Sequence, residues 1–284
     1  MKAFKFLMMS VVLVALASCS TNSSSTTAGR NVSFLVTDAP AWYNFKAVNV
    51  EITGIDYQLA GDSSKWQTLT PFSAGVYNLK ALSNGFFRQL GQIQLPNIAL
   101  IKNIRLNIGS NNTVELADST VKPLSIWNNQ NSVILHINQE HATASGDSIM
   151  VDFNLARSIV YSHNGYMLKP VLRGFVTNET ASLDGFITPD TLNCKLAYKI
   201  FIIYNGDTIT TASDANDHNH FKLWGLPKGA YTVQIVPIND TTTTNTFNIS
   251  INMNEDGIFK FGDLAGTDGG KELENNLWNK FFKH

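Results

Sequence analysis

The chain contains few charged residues and almost no cysteine, and both shortages restrict what it can be. Asp, Glu, Lys and Arg make up 15% of its 284 residues, against about 25% in an average soluble domain. The 21 basic and 22 acidic side chains nearly cancel, which excludes a strongly basic surface for nucleic acid. Two cysteines are too few for a cysteine-built metal site or a disulfide framework.

Strong catalytic motifs are missing as well. The sequence has no Gly-x-Ser-x-Gly elbow, no His-Glu-x-x-His zinc motif, no phosphate-binding loop and no dinucleotide fingerprint. We therefore expect a protein that has no catalytic activity and needs no cofactor.

The first apolar run is a targeting signal and is too short to span a membrane. Lys2 and Lys5 precede an almost unbroken apolar stretch at 6–17, as in a secretory signal peptide, whereas a membrane helix needs about 20 apolar residues. The next four residues resemble the lipobox of bacterial lipoproteins: Leu16-Ala17-Ser18-Cys19. That resemblance implies a signal peptide at 1–18, cleavage before Cys19 and lipid attachment to this cysteine.

A low-complexity tether, 19–30, follows the signal peptide. After Cys19 it reads STNSSSTTA, which holds neither a charge nor a large apolar side chain and therefore cannot pack. More than one acyl chain on the cysteine gives stable anchoring. Because Ser20 stands where inner-membrane lipoproteins commonly have Asp, we expect a lipid anchor in the outer membrane of the bacterial cell envelope.

Beyond residue 30, apolar residues repeat with the period of two that is typical of β-strands. They alternate over 48–52 and then, in the opposite phase, over 55–59, with Gly54 at the switch. A phase change of one residue at a glycine predicts a single long strand bent by a β-bulge.

Other segments alternate in the same way and define the fold class. Over 104–108 the apolar residues leave Arg105 and Asn107 on the opposite face, and a similar run covers 149–155. Turn-forming clusters separate the runs, and no helical βαβ rhythm is present. We predict an all-β protein of two antiparallel β-sandwich domains in tandem, at 31–174 and 175–266.

The C-terminal segment 267–284 has a helical pattern. Large apolar residues at i, i+4 and i+8 predict a short amphipathic helix: Leu273, Leu277, Phe281, and the neighbouring Trp278 and Phe282. Its apolar stripe either packs on the protein's own sandwich or docks to a partner or the membrane surface.

The first domain carries a series of local motifs. In chain order they are VTDAPA from Val36, VNVEITGI from Val48, Trp66, the stretch 79–85, Leu106, VDFN from Val151 and YMLKPV from Tyr166. Together they resemble domain-of-unknown-function family 4382, which occurs in bacterial envelope lipoproteins and large secreted proteins. The resemblance implies a β-sandwich and export, and it supplies no catalytic residue. The family pattern usually has a second Asp where this chain has Asn154.

The second domain resembles carboxypeptidase-regulatory-like sandwiches. The resemblance rests on the segments TASDAN at 211–216, FKL at 221–223 and GLPKGAYTV at 225–233, with DHNH at 217–220 lengthening the first turn. Such domains are non-catalytic spacers or accessory modules of envelope proteins.

Four aromatic residues near turns are candidates for ligand binding: Trp42, Tyr43, Trp66 and Trp127. Aromatic side chains at sandwich loops offer large contact areas with polar handles to glycans or peptides. The alternative is that they close the ends of the sandwich.

A second group, Asp214, Asp217, His218 and His220, is a weak candidate for a metal site. Alternate residues of a strand share a face, so two imidazoles with nearby carboxylates can ligate a metal. The alternative is a solvated hairpin tip. His136, Glu140 and His141 form a weaker set still.

These observations predict a lipid-anchored cell-envelope protein that serves as a binding or adhesion-type module or as an accessory subunit of a surface assembly. Its expected partners are the membrane, through the N-terminal lipid, and a glycan or an envelope protein. Two alternatives remain: glycan recognition through the loop aromatics, and a metal-dependent hydrolase built on His218 and His220.

Overall fold

The computed structural model describes residues 29–39, 45–137, 139–187, 197–204, 206–227, 229–238, 245–251 and 257–261. Within these ranges the chain forms twenty strands, one four-residue α-helix and three short 3-10 turns. No helix in the described ranges has the length and apolar character to cross a membrane. Cys19, Trp42, Tyr43 and the segment 267–284 lie outside the described residues.

The first thirteen strands build two sheets. They are β1 (Gly29–Ala39), β2 (Phe45–Leu59), β3 (Asp62–Thr68), β4 (Gly75–Asn78), β5 (Arg88–Pro96), β6 (Ile101–Ile108), β7 (Thr113–Leu116), β8 (Val121–Ile126), β9 (Ser132–His136), β10 (Asp147–Asn154), β11 (Ile159–Ser162), β12 (Gly165–Leu168) and β13 (Leu172–Val176), with α1 (Leu155–Ser158) after β10. Sheet I has the order β13-β10-β1-β5. Sheet II has the order β11-β12-β8-β7-β2-β6-β9, and β3 and β4 also pair with β2.

The remaining strands build two smaller sheets. They are β14 (Ala181–Ile187), β15 (Tyr198–Tyr204), β16 (Asp207–Ala212), β17 (His220–Leu226), β18 (Gly229–Pro237), β19 (Asn245–Ile251) and β20 (Gly257–Phe261). Sheet III has the order β17-β14-β20, and sheet IV has the order β16-β15-β18-β19.

The all-β sandwich-type fold predicted from the alternating pattern is confirmed. Most neighbouring strands are antiparallel, as expected, but β1 with β10, β8 with β12, and β14 with β20 run parallel. Each parallel pair joins strands that are far apart in the sequence, because such strands require a long crossover connection.

The long strand β2 is bent at the predicted place. Its register against β6 shifts between Ile52 and Gly54, which confirms the bulge. The extra residue restores the inward phase, so that Ile52 before the bulge and Ile55 after it are both fully buried.

A hairpin joins β15 to β16 where the sequence Asn205-Gly206-Asp207 predicts one. Tyr204 pairs with Asp207, and Gly206 has a φ of 80°, a conformation that glycine adopts without steric cost.

Buried apolar side chains form separate clusters. The largest is drawn from the inner faces of sheets I and II, between Val32 and Val176. A second lies within sheets III and IV, between Ala181 and Ile235. A small third cluster joins the two halves: Leu35 and Met150 on the outer face of sheet I, Phe175 on β13, and Trp224 on β17. Burial of each large apolar side chain contributes roughly 1.5–3 kcal/mol.

Candidate functional site

Trp66 lies on the outer face of sheet II. The register pairs Asp56 of β2 with Thr68 of β3 and with Arg105 of β6. Since Ile55 and Tyr57 point into the core, Asp56 points outward, and so do Thr68 and Trp66, which share its face by alternation. These registers therefore bring one predicted binding residue beside a polar row on two neighbouring strands.

Asp56 is the centre of this arrangement. Its Oδ2 accepts hydrogen bonds from Nε and Nη2 of Arg105, at 3.0 and 2.8 Å, and from Nδ2 of Asn107 at 3.1 Å, while its Oδ1 accepts one from the Thr68 hydroxyl at 2.8 Å. Burial alone would raise the pKa of Asp56, but these hydrogen bonds and the Arg105 charge outweigh it and hold the pKa below its usual range. The carboxylate therefore stays ionised at neutral pH.

The fixed guanidinium in turn supports the Trp66 ring. The Cζ atom of Arg105 lies 4.6 Å from the ring centroid, within the range of a cation–π contact. Trp66 is only half-buried, so part of its ring still meets solvent. We refer to Trp66, Arg105, Asp56, Asn107 and Thr68 as the Trp66 platform. Because hydrogen bonds hold the groups that support the Trp66 ring, the platform is preorganised for binding.

A second set of polar contacts continues from the platform across β6 to β9. Asn103 donates a hydrogen bond to Oε1 of Gln58 at 2.9 Å, and its Oδ1 lies 2.7 Å from Nδ1 of His136. Gln58 and Asn103 are themselves largely buried, whereas His136 is exposed. Polar side chains thus follow one another across four neighbouring strands in the order β3, β2, β6 and β9.

Trp127 does not join this surface. It begins a 3-10 turn after β8 and is half-buried, and β7 and β2 separate its strand from β3. Of the four aromatic candidates, the structure thus describes two, and it places them at different points of sheet II.

The candidate metal ligands lie on the turn before β17 and, in the case of His220, at the first residue of that strand. Nε2 of His220 lies 2.6 Å from Oδ1 of Asp184 on β14, whereas its Nδ1 lies 3.7 Å from a carboxylate oxygen of Asp217 on the turn. Lys222 also pairs with Asp184, at 3.1 Å. His218 is exposed, and its Nδ1 lies 3.8 Å from a carboxylate oxygen of Asp217. In the part of the chain that the structure describes, no group of three or more His, Cys, Asp or Glu side chains is placed to hold a metal ion.

Two buried carboxyl groups were not singled out in the sequence. Asp147 forms a fully buried ion pair with Arg30 and also accepts hydrogen bonds from Gln139 at 2.6 Å and Asn178 at 2.8 Å. Asp147 stands between Gly146 and Ser148, so the local sequence is typical of a turn and does not indicate a buried ion pair. Arg30 reaches Asp147 because β1 pairs with β10 in parallel.

Asp38, at the end of β1, has a different environment. It accepts a long hydrogen bond of 3.4 Å from the Leu155 amide, and its Oδ2 has no hydrogen-bond partner among the described residues. Burial, reinforced by the charge of Asp152, raises the pKa of Asp38 well above its usual value against the opposing effect of Lys80. Burial also raises the pKa of Asp152, although its partner Arg173 opposes this.

Asn154, where the resembled family usually has Asp, has a local structural role. Its side-chain oxygen accepts the Arg157 amide at 3.2 Å and so caps α1. Because Asn and Asp are about equally good at this position, the difference leaves the cap intact.

The fold and the platform define an all-β sandwich-type protein with a hydrogen-bonded, partly exposed aromatic and polar surface. Residues 30–170, just under half of the chain, match the profile of the family described as Domain of unknown function (DUF4382). This confirms the resemblance for the first domain and covers the whole Trp66 platform. No curated protein matches the chain.

The solved structures that the chain matches share little sequence with it. The Bacillus anthracis TIE protein is 10% identical with a TM-score of 0.25, over 82% of this chain and 40% of that protein. A variant of BcpA, the major pilin subunit of Bacillus cereus, is 10% identical with a TM-score of 0.23, over 83% and 69%. A variant of the shaft pilin SpaA of Lactobacillus rhamnosus GG is 11% identical with a TM-score of 0.21, over 82% and 96%. At these values the similarity supports no conclusion about function.

Proposed function

We propose that the protein is a non-catalytic binding module, held at the bacterial cell envelope by a lipid on Cys19, and that the Trp66 platform is its ligand-binding surface. The lipobox-like sequence that ends at Cys19 and the uncharged segment 20–28 after it support the anchor. The resemblance of the second domain to carboxypeptidase-regulatory-like sandwiches, which stays a prediction, agrees with an accessory role.

The platform is the observation that carries the binding proposal. A half-buried tryptophan held by an arginine, which is itself fixed by a fully bonded carboxylate, loses little freedom when a ligand arrives. An isolated exposed tryptophan on a loop would have to be ordered first. Within the described residues, Trp66 has this support and Trp127 does not share it.

The anchor is tested with Cys19→Ala. Loss of the acyl chains removes the main membrane-directed apolar group of the mature chain, so the variant should move from the membrane fraction to the soluble extract of the same cells. Immunoblots of the two fractions measure this. A variant that still sediments with membranes after a high-salt wash would contradict the lipid anchor.

The binding surface is tested with Trp66→Ala in the full chain, prepared in its soluble Cys19→Ala form. Insoluble envelope material from the same bacterium should retain the parent protein and retain about tenfold less of the variant at equal concentration, a loss of about 1.4 kcal/mol. Co-sedimentation followed by quantification of the bound protein gives the measurement.

The matched control for this experiment is Trp127→Ala, which removes an equally large, half-buried aromatic side chain from another part of the same sheet. It should bind like the parent protein. If Trp127→Ala weakens binding and Trp66→Ala does not, the ligand-binding surface has been assigned to the wrong aromatic residue.

A further inference from the structure

The charges that meet on the Trp66 platform cancel. Arg105 is paired with Asp56 through two hydrogen bonds to the same oxygen, and the next charges along β3, Lys65 and Asp62, lie 3.8 Å apart as a second pair. A surface that selects phosphate, sulfate or carboxylate groups needs unpaired cations. Arg105 already donates to a carboxylate and stacks on Trp66. Because its charge is neutralised by Asp56, it attracts an anionic ligand only weakly.

The polar groups beside the ring suit hydroxyl groups. Asn107 is half-buried and carries a planar amide with donor and acceptor atoms, and the imidazole of the exposed His136 offers its Nε2 while Nδ1 is engaged by Asn103. Hydroxyl groups are donors and acceptors at once and can bond to such a mixed surface without bringing a charge. The exposed face of an indole ring packs against the flat, apolar face of a ring-shaped ligand.

The dimensions favour a ligand of several rings. Neighbouring strands lie about 4.8 Å apart, so the distance from β3 to β9 across β2 and β6 is roughly 14 Å. Trp66 lies at one side of this span and the exposed His136 at the other. A single sugar on Trp66 would leave His136 of β9 unused.

We propose that the ligand of the Trp66 platform is a neutral oligosaccharide, with one sugar ring stacked on Trp66 and further hydroxyl groups bonded by the polar side chains of β6 and β9. This inference rests on the proposed function and assigns its ligand class. Asp56 is a positioning residue here, because it neutralises and orients Arg105 rather than facing the ligand itself.

The test uses the soluble Cys19→Ala form of the full chain and isothermal titration calorimetry. The neutral probes are cellohexaose, xylohexaose and mannohexaose, and the acidic probe is hexagalacturonate. At least one neutral probe should bind with an affinity that changes less than about twofold between low and high salt, since no net charge is screened. Trp66→Ala should weaken that binding about tenfold, and hexagalacturonate should not bind.

Asp56→Asn supplies a readout that loss of folding cannot mimic. It exposes the charge of Arg105, so hexagalacturonate should now bind in a salt-dependent way while the neutral probe weakens. Asp118→Asn is the matched control: it changes the net charge equally, on the exposed turn between β7 and β8, and should leave both affinities unchanged.

The outcomes separate the ligand class from the binding surface. Salt-dependent binding of hexagalacturonate to the parent protein, lost in Trp66→Ala, would overturn the neutral ligand and keep the surface. Trp66-dependent binding to envelope material without binding of any neutral probe would also overturn the ligand class. Neutral binding that Trp66→Ala leaves unchanged would overturn the surface itself.

Discussion

At the scale of single residues, buried carboxyl groups in the same sandwich have opposite energetic consequences. Asp147 is buried with a full set of partners, including the Arg30 guanidinium. Asp38 is equally inaccessible but has one weak amide donor and an oxygen without a partner. A buried carboxylate that lacks compensating bonds costs free energy in its charged form, so Asp38 destabilises the fold where it is forced to ionise.

Asp38→Asn should therefore stabilise the protein at neutral pH. Because burial raises the pKa of Asp38 well above its value in the unfolded chain, wild-type stability is highest below the unfolded pKa and is lost as the pH rises through the folded pKa. The amide has no such penalty, so the variant should unfold about 2–4 °C higher at pH 7, for a gain of about 1 kcal/mol, and nearly the same at pH 3. Thermal unfolding at a series of pH values measures the difference.

Asp147→Asn is the control for that experiment. Removal of one partner from a buried ion pair costs roughly 3–5 kcal/mol, so this variant should unfold at a lower temperature at pH 7. If both substitutions destabilise the protein, Asp38 is ionised and paired in solution, and the interpretation of its burial is wrong.

The composition of the platform was partly predictable at this scale. Alternation at 104–108 places Arg105 and Asn107 on the outer face, and Trp66 was a candidate from its position near a turn. Their meeting at Asp56 was not predictable, because it depends on the registers of β2 with both β3 and β6. Alternation specifies the face of a strand and leaves its partner and register open.

At the scale of elements, the joint between β13 and β17 depends on the contacts of one arginine, Arg173. Arg173 of β13 donates from Nε to Asp152 at 2.8 Å and from Nη1 to the Gly225 carbonyl at 3.1 Å, and it also bonds the Trp224 carbonyl. Its guanidinium lies 5.0 Å from the Phe175 ring centroid. One side chain thus links sheet I to the backbone of sheet III.

Arg173→Met should loosen this joint. It frees the two β17 carbonyls and leaves Asp152 buried without its partner, a loss of roughly 3–5 kcal/mol. We expect a lower unfolding temperature and faster hydrogen exchange of the β17 amides, measured by calorimetry and mass spectrometry.

The double variant Arg173→Met with Asp152→Asn separates the two effects. It should recover part of the unfolding temperature, because no unpaired carboxylate remains, while exchange in β17 stays fast. Arg105→Met removes an arginine–carboxylate pair that lies wholly within sheet II and should leave β17 exchange unchanged. Slow exchange in all three variants would show that the apolar cluster alone holds the joint.

Among the elements, β2 and the β15–β16 hairpin were predictable because each rests on a local signal, a glycine at a phase change or an Asn-Gly turn. The parallel pairing of β1 with β10 was not. A parallel and an antiparallel neighbour require the same alternation, and more than one hundred residues separate Val32 from its partner Asp147. Local patterns carry no information on such a pairing.

At the scale of the whole molecule, the sequence predicted two sandwiches in a row but not how they touch. The contact covers part of the outer face of sheet I, where Leu35, Met150 and Phe175 pack with Trp224. Apolar residues on both faces of β1 indicate a strand that is buried on both sides. The element that covers its outer face, β17, lies nearly two hundred residues later in the chain. The first domain therefore combines one covered outer face, on sheet I, with an open polar face on sheet II.

The position of β1 has a mechanical consequence for a protein tethered at its N-terminus. With the proposed lipid on Cys19, a pull on a bound ligand is transmitted to the membrane through Gly29, where β1 begins. This strand lies between β10 and β5, and it pairs with β10 from Val32 to Ala39. Tension along β1 loads its hydrogen bonds to both neighbours together, in shear, whereas a strand at a sheet edge is held by the hydrogen bonds to one neighbour. The attachment strand is thus placed where the sandwich resists extraction best.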